Sequence, residues 1–398
     1  MDPFLEAGDP MAPLLAVYQA AGAYLAELDD APVVDPAALA SLDGLDGPLP
    51  EVGTGAPAAL ERLIRIGTTA GTRSSGPHFY HFVIGGATPA AMAGDWLTAL
   101  LDQNVAMRAA SAFGTRIEDV ALRWLVDLFG LPAGWGGALV GSATFANFTG
   151  LGCATHWWGE RHGVDVAADG LSGLPRMPVL SGGYVHASAR KALQMLGHGK
   201  NSVEVFAADP AGRVDLAALE ARLAGLGAPA VVIANAGEVN AGDFDPIGAL
   251  ADLAVRYGAW LHVDGAFGAF AALSPRSADL VRGMERADSI AADAHKWLNV
   301  PYESGFTLLA EPERLGRAFG MPGAPYLPDP SGPASGYMLF GPESSRRARA
   351  IPIWATLAAY GRDGYRQLVE RHLDRAQQLA ALVDAAPDMQ RLAEVPLC

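Results

Sequence analysis

The sequence predicts an α/β fold in which helices cover both faces of a mostly parallel β-sheet. From residue 76 onward, short apolar runs of strand length alternate with Ala- and Leu-rich stretches of helical spacing. This alternation is typical of a parallel sheet, because parallel neighbours need a long crossover that a helix usually supplies. The predicted strands are 138–140, 178–180, 203–206, 230–234, 260–263, 289–291 and 305–310. The helices predicted between them are 145–161, 187–196, 216–224 and 247–257.

Three segments with different patterns suggest the domain organisation. Residues 1–75 are predicted to form a helical N-terminal segment that ends in a Pro- and Gly-rich connector region. Residues 76–310 carry the strand and helix alternation and are predicted to form the large domain. Residues 311–398, the third segment, begin as a Pro- and Gly-rich stretch and continue into a helical pattern over 346–386.

The composition argues against several classes of partner. The 398 residues include 28 basic and 43 acidic ones, which gives a formal net charge of −15. Such a charge repels nucleic acid and anionic membranes, and no basic cluster offsets it. The two cysteines, Cys153 and Cys398, form no CxxC motif, and the first residues lack the features of a signal peptide. We therefore expect a cytoplasmic protein with no nucleic-acid or membrane partner.

The first candidate site is a turn of small residues after the predicted strand 138–140. Gly141, Ser142, Ala143 and Thr144 lead directly into a predicted helix. Small residues let an anion approach the backbone, and a helix N-terminus offers free N–H groups and the positive end of its dipole. The turn is therefore a candidate phosphate cradle, although the P-loop motif is absent. An ordinary helix N-cap is the alternative interpretation.

Two further predicted strands end in residues that suit cofactor chemistry. Strand 260–263 runs into Asp264, whose carboxylate could pair with a buried cation such as a pyridinium nitrogen; a turn or capping aspartate is the alternative. Strand 289–291 is followed closely by Lys296, between His295 and Trp297. An amine in such an apolar neighbourhood loses its proton more readily and becomes nucleophilic, as Schiff-base formation requires. A solvated surface lysine fits this apolar context less well.

A histidine at a fourth position could complete such a site. His186 lies in the segment 184–188, directly before the predicted helix 187–196. Its ring could stack on an aromatic cofactor, whereas a lone histidine in an apolar context is more often a core residue.

Together these segments resemble the group II pyridoxal-phosphate decarboxylases, the family that includes aromatic-amino-acid and glutamate decarboxylases. The resemblance extends from about residue 76 to residue 361. The segments that carry it are Ala-Asp-Ala-His-Lys-Trp-Leu-Asn-Val-Pro-Tyr at 292–302, and 184–192, 212–215, 260–268 and 345–350.

The resemblance implies pyridoxal 5'-phosphate (PLP) as the cofactor and the type I PLP-dependent transferase fold of aspartate aminotransferase. Residues 76–310 would then be the PLP-binding domain, and residues 1–75 would contribute to dimerisation. A homodimer with active sites at the subunit interface and a small amino-acid substrate are also implied. For residues 311–398 the resemblance implies a mobile loop and, because the C-terminal region is short compared with the family, a partial C-terminal small domain.

The resemblance also implies roles for individual residues. Lys296 would hold the cofactor as a Schiff base, Asp264 would pair with the pyridine nitrogen, Ala266 would lie beside the ring and His186 would stack on its face. The residues implied for the phosphate site are Ser142, Ala143, Thr144, Ser289 and His295.

On the substrate side the implied residues are less closely matched. Phe82 and Gly85 resemble the family's substrate-facing loop, with a packed aromatic strand as the alternative, and the small Ala106 would leave room for a substrate. Tyr337 lies nine residues before Arg346, a spacing that resembles the mobile-loop tyrosine that protonates the substrate carbon. An apolar interface patch around Tyr337 is the alternative.

The predicted function is the PLP-dependent decarboxylation of an L-amino acid, with an aromatic or bulky substrate preferred. Glu238 and Val239 stand where the family has threonines, which would remove a hydroxyl near the cofactor and add a carboxylate. This departure keeps a second PLP reaction open, such as aldehyde-forming oxidative decarboxylation or carbon–carbon lyase chemistry. The short C-terminal region keeps a catalytically silent homologue open. No metal site is predicted, because HExxH is absent.

Overall fold

The computed structural model describes residues 9, 11–321, 327, 332 and 334–398. The chain divides into two compact units, Met1–Gly86 and Ala87–Cys398. The division therefore falls after Gly86, later than the predicted boundary between residues 75 and 76. Residues 311–398 are part of the second unit, where the sequence predicted a separate partial domain. Parts of the predicted mobile loop, at 322–326, 328–331 and 333, lie outside the described residues.

Among its described residues, the N-terminal unit contains two α-helices, α1 (Met11–Glu27) and α2 (Ala56–Ala70), which pack on each other. A 3-10 helix, Leu39–Leu45, lies between them in the chain. Helix α2 begins after Gly55 with a proline in its first turn, where a missing N–H costs nothing. It buries Ile66 on its apolar face. Phe82 and Gly85, the candidate substrate residues, also belong to this unit, and Phe82 is 84% exposed with a positive φ of 59°.

Seven strands, counted over the described residues, form the sheet of the second unit. They are β1 (Gly136–Val140), β2 (Val179–Ser181), β3 (Val203–Val205), β4 (Val231–Asn235), β5 (Trp260–Asp264), β6 (Ser289–Asp293) and β7 (Gly305–Leu309). Each coincides with a predicted strand to within two residues at either end. The sheet order is β1-β7-β6-β5-β4-β2-β3. The predicted mostly parallel α/β sheet is therefore confirmed.

Strand β7 is the exception, because it pairs antiparallel with both β1 and β6. The pairs β6–β5, β5–β4, β4–β2 and β2–β3 are all parallel. Since β7 opposes both of its neighbours, β1 runs in the same direction as β6. The carboxyl ends of β1, β4, β5 and β6 consequently meet at one edge of the sheet, where α/β folds place their sites.

The helices of the second unit surround this sheet. They are α3 (Pro89–Leu101), α4 (Ala112–Leu128), α5 (Ala143–Arg161), α6 (Val166–Asp169), α7 (Ala187–Met195), α8 (Leu216–Leu226), α9 (Ile247–Tyr257), α10 (Glu313–Phe319) and α11 (Ala350–Ala385). Helix α5 is buried along most of its length and packs on β5, β6 and β7. A side chain at Gly150 would come within 2.9 Å of the His262 ring, so glycine there lets α5 approach the sheet closely. No helix among the described residues is both long and apolar enough to cross a membrane.

Helix α11 ties the C-terminal region to the sheet unit. It was predicted over 346–386 and packs on α3 and α4. Gly361 has a positive φ of 61° and interrupts the helix with a kink. Beyond the kink, the buried Tyr365 donates a hydrogen bond to the Leu298 carbonyl, 2.7 Å away, close in sequence to Lys296.

Candidate active site

The turn between β1 and α5 is the candidate anion site. Ser142 is the N-cap of α5 in extended conformation, and its side chain makes no capping hydrogen bond. The N–H of Ala143 instead donates to Asp293 Oδ1, 2.5 Å away at the end of β6. A Cβ at Gly305 on β7 would come within 2.7 Å of the Ser142 backbone, so the turn is pressed against the sheet. The first N–H of α5 is therefore occupied by a carboxylate.

The carboxylate of Asp293 contacts both the candidate lysine and the candidate histidine beside this turn. Lys296 Nζ lies 3.0 Å from Asp293 Oδ2, and His295 Nε2 lies 3.4 Å from Oδ1. The Asp293 side chain is 4% exposed, whereas the Lys296 side chain is 20% exposed. The lysine amine thus stays within reach of solvent beside a buried carboxylate. The geometry brings Lys296, His295 and Ala143 together around Asp293.

His295 is held in one orientation by its neighbours. Its Nδ1 accepts a hydrogen bond from the Ser304 N–H at 3.1 Å, and its ring stacks on Tyr302 with centroids 4.2 Å apart. Burial lowers the pKa of His295 below its ordinary value of 6.5, so the neutral ring is favoured. Since Nδ1 is an acceptor, the ring hydrogen is on Nε2 and faces Asp293.

Asp264 lies next to this cluster at the end of β5. The sheet register sets Asp264 opposite Ala291 of β6, and the N–H of Asp293 donates to the Ala266 carbonyl at 3.0 Å. The Asp264 carboxylate is 5% exposed, and Oδ1 accepts from the Ala266 N–H at 3.2 Å. Asp264, Ala266 and Asp293 are thus neighbours, and Ala266 is partly exposed beside them.

Asn147, which the sequence interpretation did not single out, connects Asp264 to His186. Its Nδ2 donates to Asp264 Oδ2 at 2.9 Å and to Ser188 Oγ at 3.2 Å. Ser188 Oγ is in turn 2.7 Å from Nδ1 of His186. His186 is the exposed N-cap of α7, so its ring is available to a ligand. The structure therefore links His186 to Asp264 through two side chains.

Ser289 does not belong to the phosphate cradle. It is fully buried at the start of β6, the opposite end of the strand from Asp293. Its hydroxyl accepts a hydrogen bond from Trp260 Nε1 at 2.9 Å and lies 2.8 Å from His262 Nδ1. The prediction that Ser289 completes the phosphate site is corrected, because the hydroxyl is fully engaged inside the core.

Tyr337 and Ala106 are packed against other parts of the protein. The Tyr337 hydroxyl donates to Asp119 Oδ1 at 2.7 Å, and its side chain is 8% exposed. Ala106 is 4% exposed and lies in an apolar cluster with Met338 and Leu339. In this structure the space beside Ala106 is filled by those side chains. Neither Tyr337, expected to protonate the substrate, nor Ala106, expected to leave room for it, faces an open site here. An apolar patch describes their surroundings better.

Glu238 also differs from the expectation. Its carboxylate accepts hydrogen bonds from the N–H groups of Asn240 at 2.9 Å and Ala241 at 2.8 Å. It closes its own turn, so it does not present a free carboxylate to a cofactor. The neighbouring Val239 is 51% exposed and supplies no hydroxyl.

Two side chains central to this site, Asp293 and Asn147, were missed from sequence. Asp293 stood in the motif around Lys296, and its three-residue spacing from the lysine was the available signal. Asn147 is four residues after Ala143, so it lies on the same face of α5, one turn along. An asparagine in a mostly apolar, buried stretch of helix needs polar partners, and this requirement was the signal for Asn147.

An amine, a buried carboxylate and a candidate anion-binding turn meet at the carboxyl edge of the sheet, an arrangement that fits the class of PLP enzymes. The pyridoxal-dependent decarboxylase conserved domain matches residues 59–397. The chain therefore belongs to the pyridoxal-dependent decarboxylase family, whose enzymes are PLP-dependent amino-acid decarboxylases, that is, carboxy-lyases.

Individual relatives agree with this membership. The chain is 30% identical over 350 residues to an aromatic-L-amino-acid decarboxylase of Bacillus atrophaeus. The matched region covers 86% of this chain and 70% of the relative. It is 34% identical over 353 residues to an L-2,4-diaminobutyrate decarboxylase of Rhizobium meliloti, covering 86% and 68%. The crystal structure of Oryza sativa TDC with PLP and tryptamine matches with a TM-score of 0.85 at 25% identity, covering 96% of this chain and 80% of that one.

The residues present suit the cofactor of this family. Asp264 offers a buried carboxylate to a ring nitrogen, and Lys296 offers a partly exposed primary amine. The turn at Ser142 offers backbone N–H groups and an uncommitted hydroxyl to a phosphate. The occupied N–H of Ala143 is the one donor that a phosphate would have to take over from a protein group.

Proposed function

We propose that this enzyme decarboxylates an aromatic or other bulky L-amino acid to the amine and CO2. Lys296 would hold PLP covalently, Asp264 would pair with its ring nitrogen and His186 would cover its face, with Ala266 beside the ring. Ser142, Ala143, Thr144 and His295 would surround the phosphate. The observation that carries this proposal is the convergence of Lys296 and Ala143 on the carboxylate of Asp293, next to Asp264.

Each side chain has a task that follows from its surroundings. The bound cofactor supplies an electron sink for the bond that breaks, and the protein determines how the substrate is oriented. Asp264 would keep a proton on the ring nitrogen, because a buried carboxylate stabilises a neighbouring cation. Asp293 holds the Lys296 amine at the edge of the sheet through the 3.0 Å ion pair. His295 presents its Nε2 hydrogen toward the same carboxylate.

The substrate preference rests on relatives of differing specificity. An aromatic substrate is favoured by the aromatic-L-amino-acid decarboxylase of Bacillus atrophaeus and by the rice TDC solved with tryptamine. The similarly related L-2,4-diaminobutyrate decarboxylase points instead to a small cationic substrate. A panel of L-tryptophan, L-tyrosine, L-phenylalanine, L-2,4-diaminobutyrate and L-glutamate distinguishes these classes. Release of CO2 and amine from an aromatic member supports the proposal, and turnover of diaminobutyrate alone refutes it.

The reaction type is tested in the same assay. Aldehyde, ammonia and peroxide in place of amine would identify the oxidative reaction, for which the absence of a hydroxyl at Val239 remains the motive. Lys296→Ala should lose all turnover and the visible absorption of bound PLP. Lys200→Ala, a change at an exposed lysine, is the matched control and should keep both. Turnover that survives in Lys296→Ala would refute the assignment of this lysine.

We further propose that the enzyme is a homodimer that buries an aromatic surface of the second unit. Trp124 and Trp354 stack with ring centroids 5.7 Å apart and are each 37% exposed. Exposed apolar residues on the adjoining helices α3 and α11 extend this surface: Trp96, Leu97, Leu100 and Tyr360. Contiguous apolar surface of this kind commonly marks an interface. A second copy of the chain is the occupant implied by the family resemblance.

The oligomeric state can be measured directly by sedimentation. The unmutated protein should sediment as a dimer, and Trp354→Glu should shift it toward monomer. Leu379→Glu places the same charge at another exposed position of α11 and serves as the control. A monomer at all concentrations of the unmutated protein would refute the proposal.

The two cysteines, Cys153 and Cys398, are both free thiols, which supports function in a reducing compartment such as the cytoplasm.

A further inference from the structure

A continuous chain of buried hydrogen bonds leads from Asp264 into the core of the sheet. Trp260 Nε1 is 2.9 Å from Ser289 Oγ, which is 2.8 Å from His262 Nδ1. His262 Nε2 is 2.8 Å from Asn147 Oδ1, and Asn147 Nδ2 is 2.9 Å from Asp264 Oδ2. None of these five side chains is more than 5% exposed. We call this set the Trp260–Asp264 relay.

The direction of every hydrogen bond in the relay is determined by its two ends. The indole of Trp260 can only donate, so Ser289 Oγ accepts from it and gives its own hydrogen to His262 Nδ1. An ionised Asp264 can only accept, so Asn147 turns its Nδ2 to Asp264 and its Oδ1 to His262. His262 must then carry its hydrogen on Nε2.

The state of His262 agrees with this arrangement. Burial lowers the pKa of His262 from 6.5 to about 4, so the ring is neutral with a single hydrogen at neutral pH. One hydrogen on Nε2 and an acceptor at Nδ1 satisfy both neighbours at once. A second branch leaves Asn147 through Ser188 Oγ, 3.2 Å away, to Nδ1 of His186. Asn147 therefore connects the two residues that would contact the ring from different sides.

We infer that Asn147 is a positioning residue for the cofactor ring, held by His262 and Ser289, and that it orients Asp264 and His186 together. This inference rests on the proposed site at Lys296 and Asp264. A hydrogen bond to the ionised carboxylate favours the charged form that pairs with a ring nitrogen. None of the three residues needs to touch the phosphate. The relay should therefore affect binding of the ring and leave binding of the phosphate unchanged.

The test compares two ligands that separate these contributions. Pyridoxal, which lacks the phosphate, reports ring binding, and inorganic phosphate reports the turn at 142–144. Asn147→Leu should weaken pyridoxal and PLP binding about tenfold or more, the value of one hydrogen bond to a charged group, with phosphate binding unchanged. Thr149→Val is the control, because Thr149 is buried on the same helix and bonds only to its own helix through the Phe145 carbonyl.

Ser289→Ala changes the part of the relay that lies farthest from Asp264. It also distinguishes the relay role of Ser289 from the phosphate-binding role that the sequence suggests. Through the relay, Ser289→Ala should weaken pyridoxal binding severalfold and leave inorganic phosphate binding unchanged. A direct phosphate ligand would show the reverse pattern, and that result overturns the inference. This variant also decides the question if Asn147→Leu fails to fold.

The same experiment separates the inference from the proposed function. If Lys296→Ala still forms the visible band of covalently bound PLP, the proposed site is wrong. The inference about the relay, which rests on that site, then fails with it. If Lys296→Ala loses the band while Asn147→Leu and Ser289→Ala bind pyridoxal as the unmutated protein does, the site stands and only the relay is overturned. Equal weakening of pyridoxal and phosphate binding in both relay variants would indicate a general structural role and would likewise overturn it.

Discussion

Lys296 Nζ lies 3.0 Å from Oδ2 of Asp293, whose other oxygen accepts a hydrogen bond from the N–H of Ala143. One buried carboxylate thus serves both the candidate lysine and the first N–H of α5. A phosphate arriving at this turn would meet a negative charge at the donor it needs. The ion pair with Lys296 partly compensates that charge, and covalent attachment of the lysine would change this balance.

Asp293→Asn should strengthen the binding of inorganic phosphate to the protein without PLP. The amide oxygen can still accept from Ala143, while the repulsion between two anions is removed. At a separation of a few ångströms this repulsion amounts to roughly 1–4 kcal/mol, so we expect a gain of about tenfold or more. Calorimetric titration with phosphate measures it. Asp279→Asn makes the same charge change at an exposed position and should have no effect; weaker binding in Asp293→Asn would contradict the prediction.

The ion pair of Glu118 with Arg346 should be important for stability. Two nitrogens of Arg346 lie 2.9 and 3.1 Å from the two oxygens of Glu118, and the side chains are 1% and 3% exposed. Burial raises the pKa of Glu118, and Arg346 offsets part of that effect. Glu118→Ala would leave the guanidinium buried without its partner and should cost about 3–5 kcal/mol in the free energy of unfolding.

Urea denaturation of Glu118→Ala measures this cost. Asp279→Ala is the comparison, because it breaks the exposed pair with Arg282, in which the side chains are 75% and 85% exposed. It should cost less than about 1 kcal/mol. Similar losses in the two variants would show that burial does not determine the contribution of the inner pair.

Asp245 should make stability depend on pH in a defined window. It is 2% exposed, accepts from the Asn235 N–H at 2.8 Å, and leaves Oδ1 without a hydrogen-bond partner. Burial raises its pKa from 3.8 to about 6. The folded state then holds the proton more tightly than the unfolded state, so the contribution is complete below pH 3.8 and is lost as the pH rises through 6. The loss is about 3 kcal/mol.

Asp245→Asn removes this titration. The unfolding free energy of Asp245→Asn, relative to that of the unmutated protein, should therefore rise by about 2.5 kcal/mol from pH 4 to pH 7. Denaturation at several pH values measures the difference, and the exposed change Asp279→Asn should show none. A difference that stays constant with pH would mean that Asp245 titrates alike in both states.

Tyr337→Phe distinguishes the packed from the catalytic role of this residue. The hydroxyl donates to Asp119 at 2.7 Å, and the Arg346 guanidinium lies 5.4 Å from the ring centroid. Loss of a hydrogen bond to a carboxylate should reduce the unfolding free energy by about 1.5–3 kcal/mol. We expect kcat to change little. A fall in kcat of about a hundredfold, the size of a lost general acid, would restore the catalytic interpretation.

The strands, and the candidate site residues at their ends, could be located from the sequence because their signals are local. An apolar run such as 260–263 followed by Asp264, or 289–291 followed by Lys296, records both the strand and the edge where it ends. Parallel strands bring those ends to one edge whatever the details of packing, so Asp264, Lys296 and the turn at 142–144 were predicted to converge.

The sequence by itself determined the α/β class, the order of strands and helices along the chain, and which side chains would meet at the carboxyl edge. Only the tertiary structure decided how those side chains are connected. Asn147 and Ser289 are ordinary polar residues in the sequence. Asn147 bonds to Asp264, 117 residues later, and Ser289 bonds to Trp260, 29 residues earlier. The placement of β7 between β1 and β6, and the burial of Tyr337 against α4, likewise depend on contacts distant in sequence. Hydrogen bonds in a core are directional and short, so they depend on ångström-scale packing that periodicity and spacing do not encode.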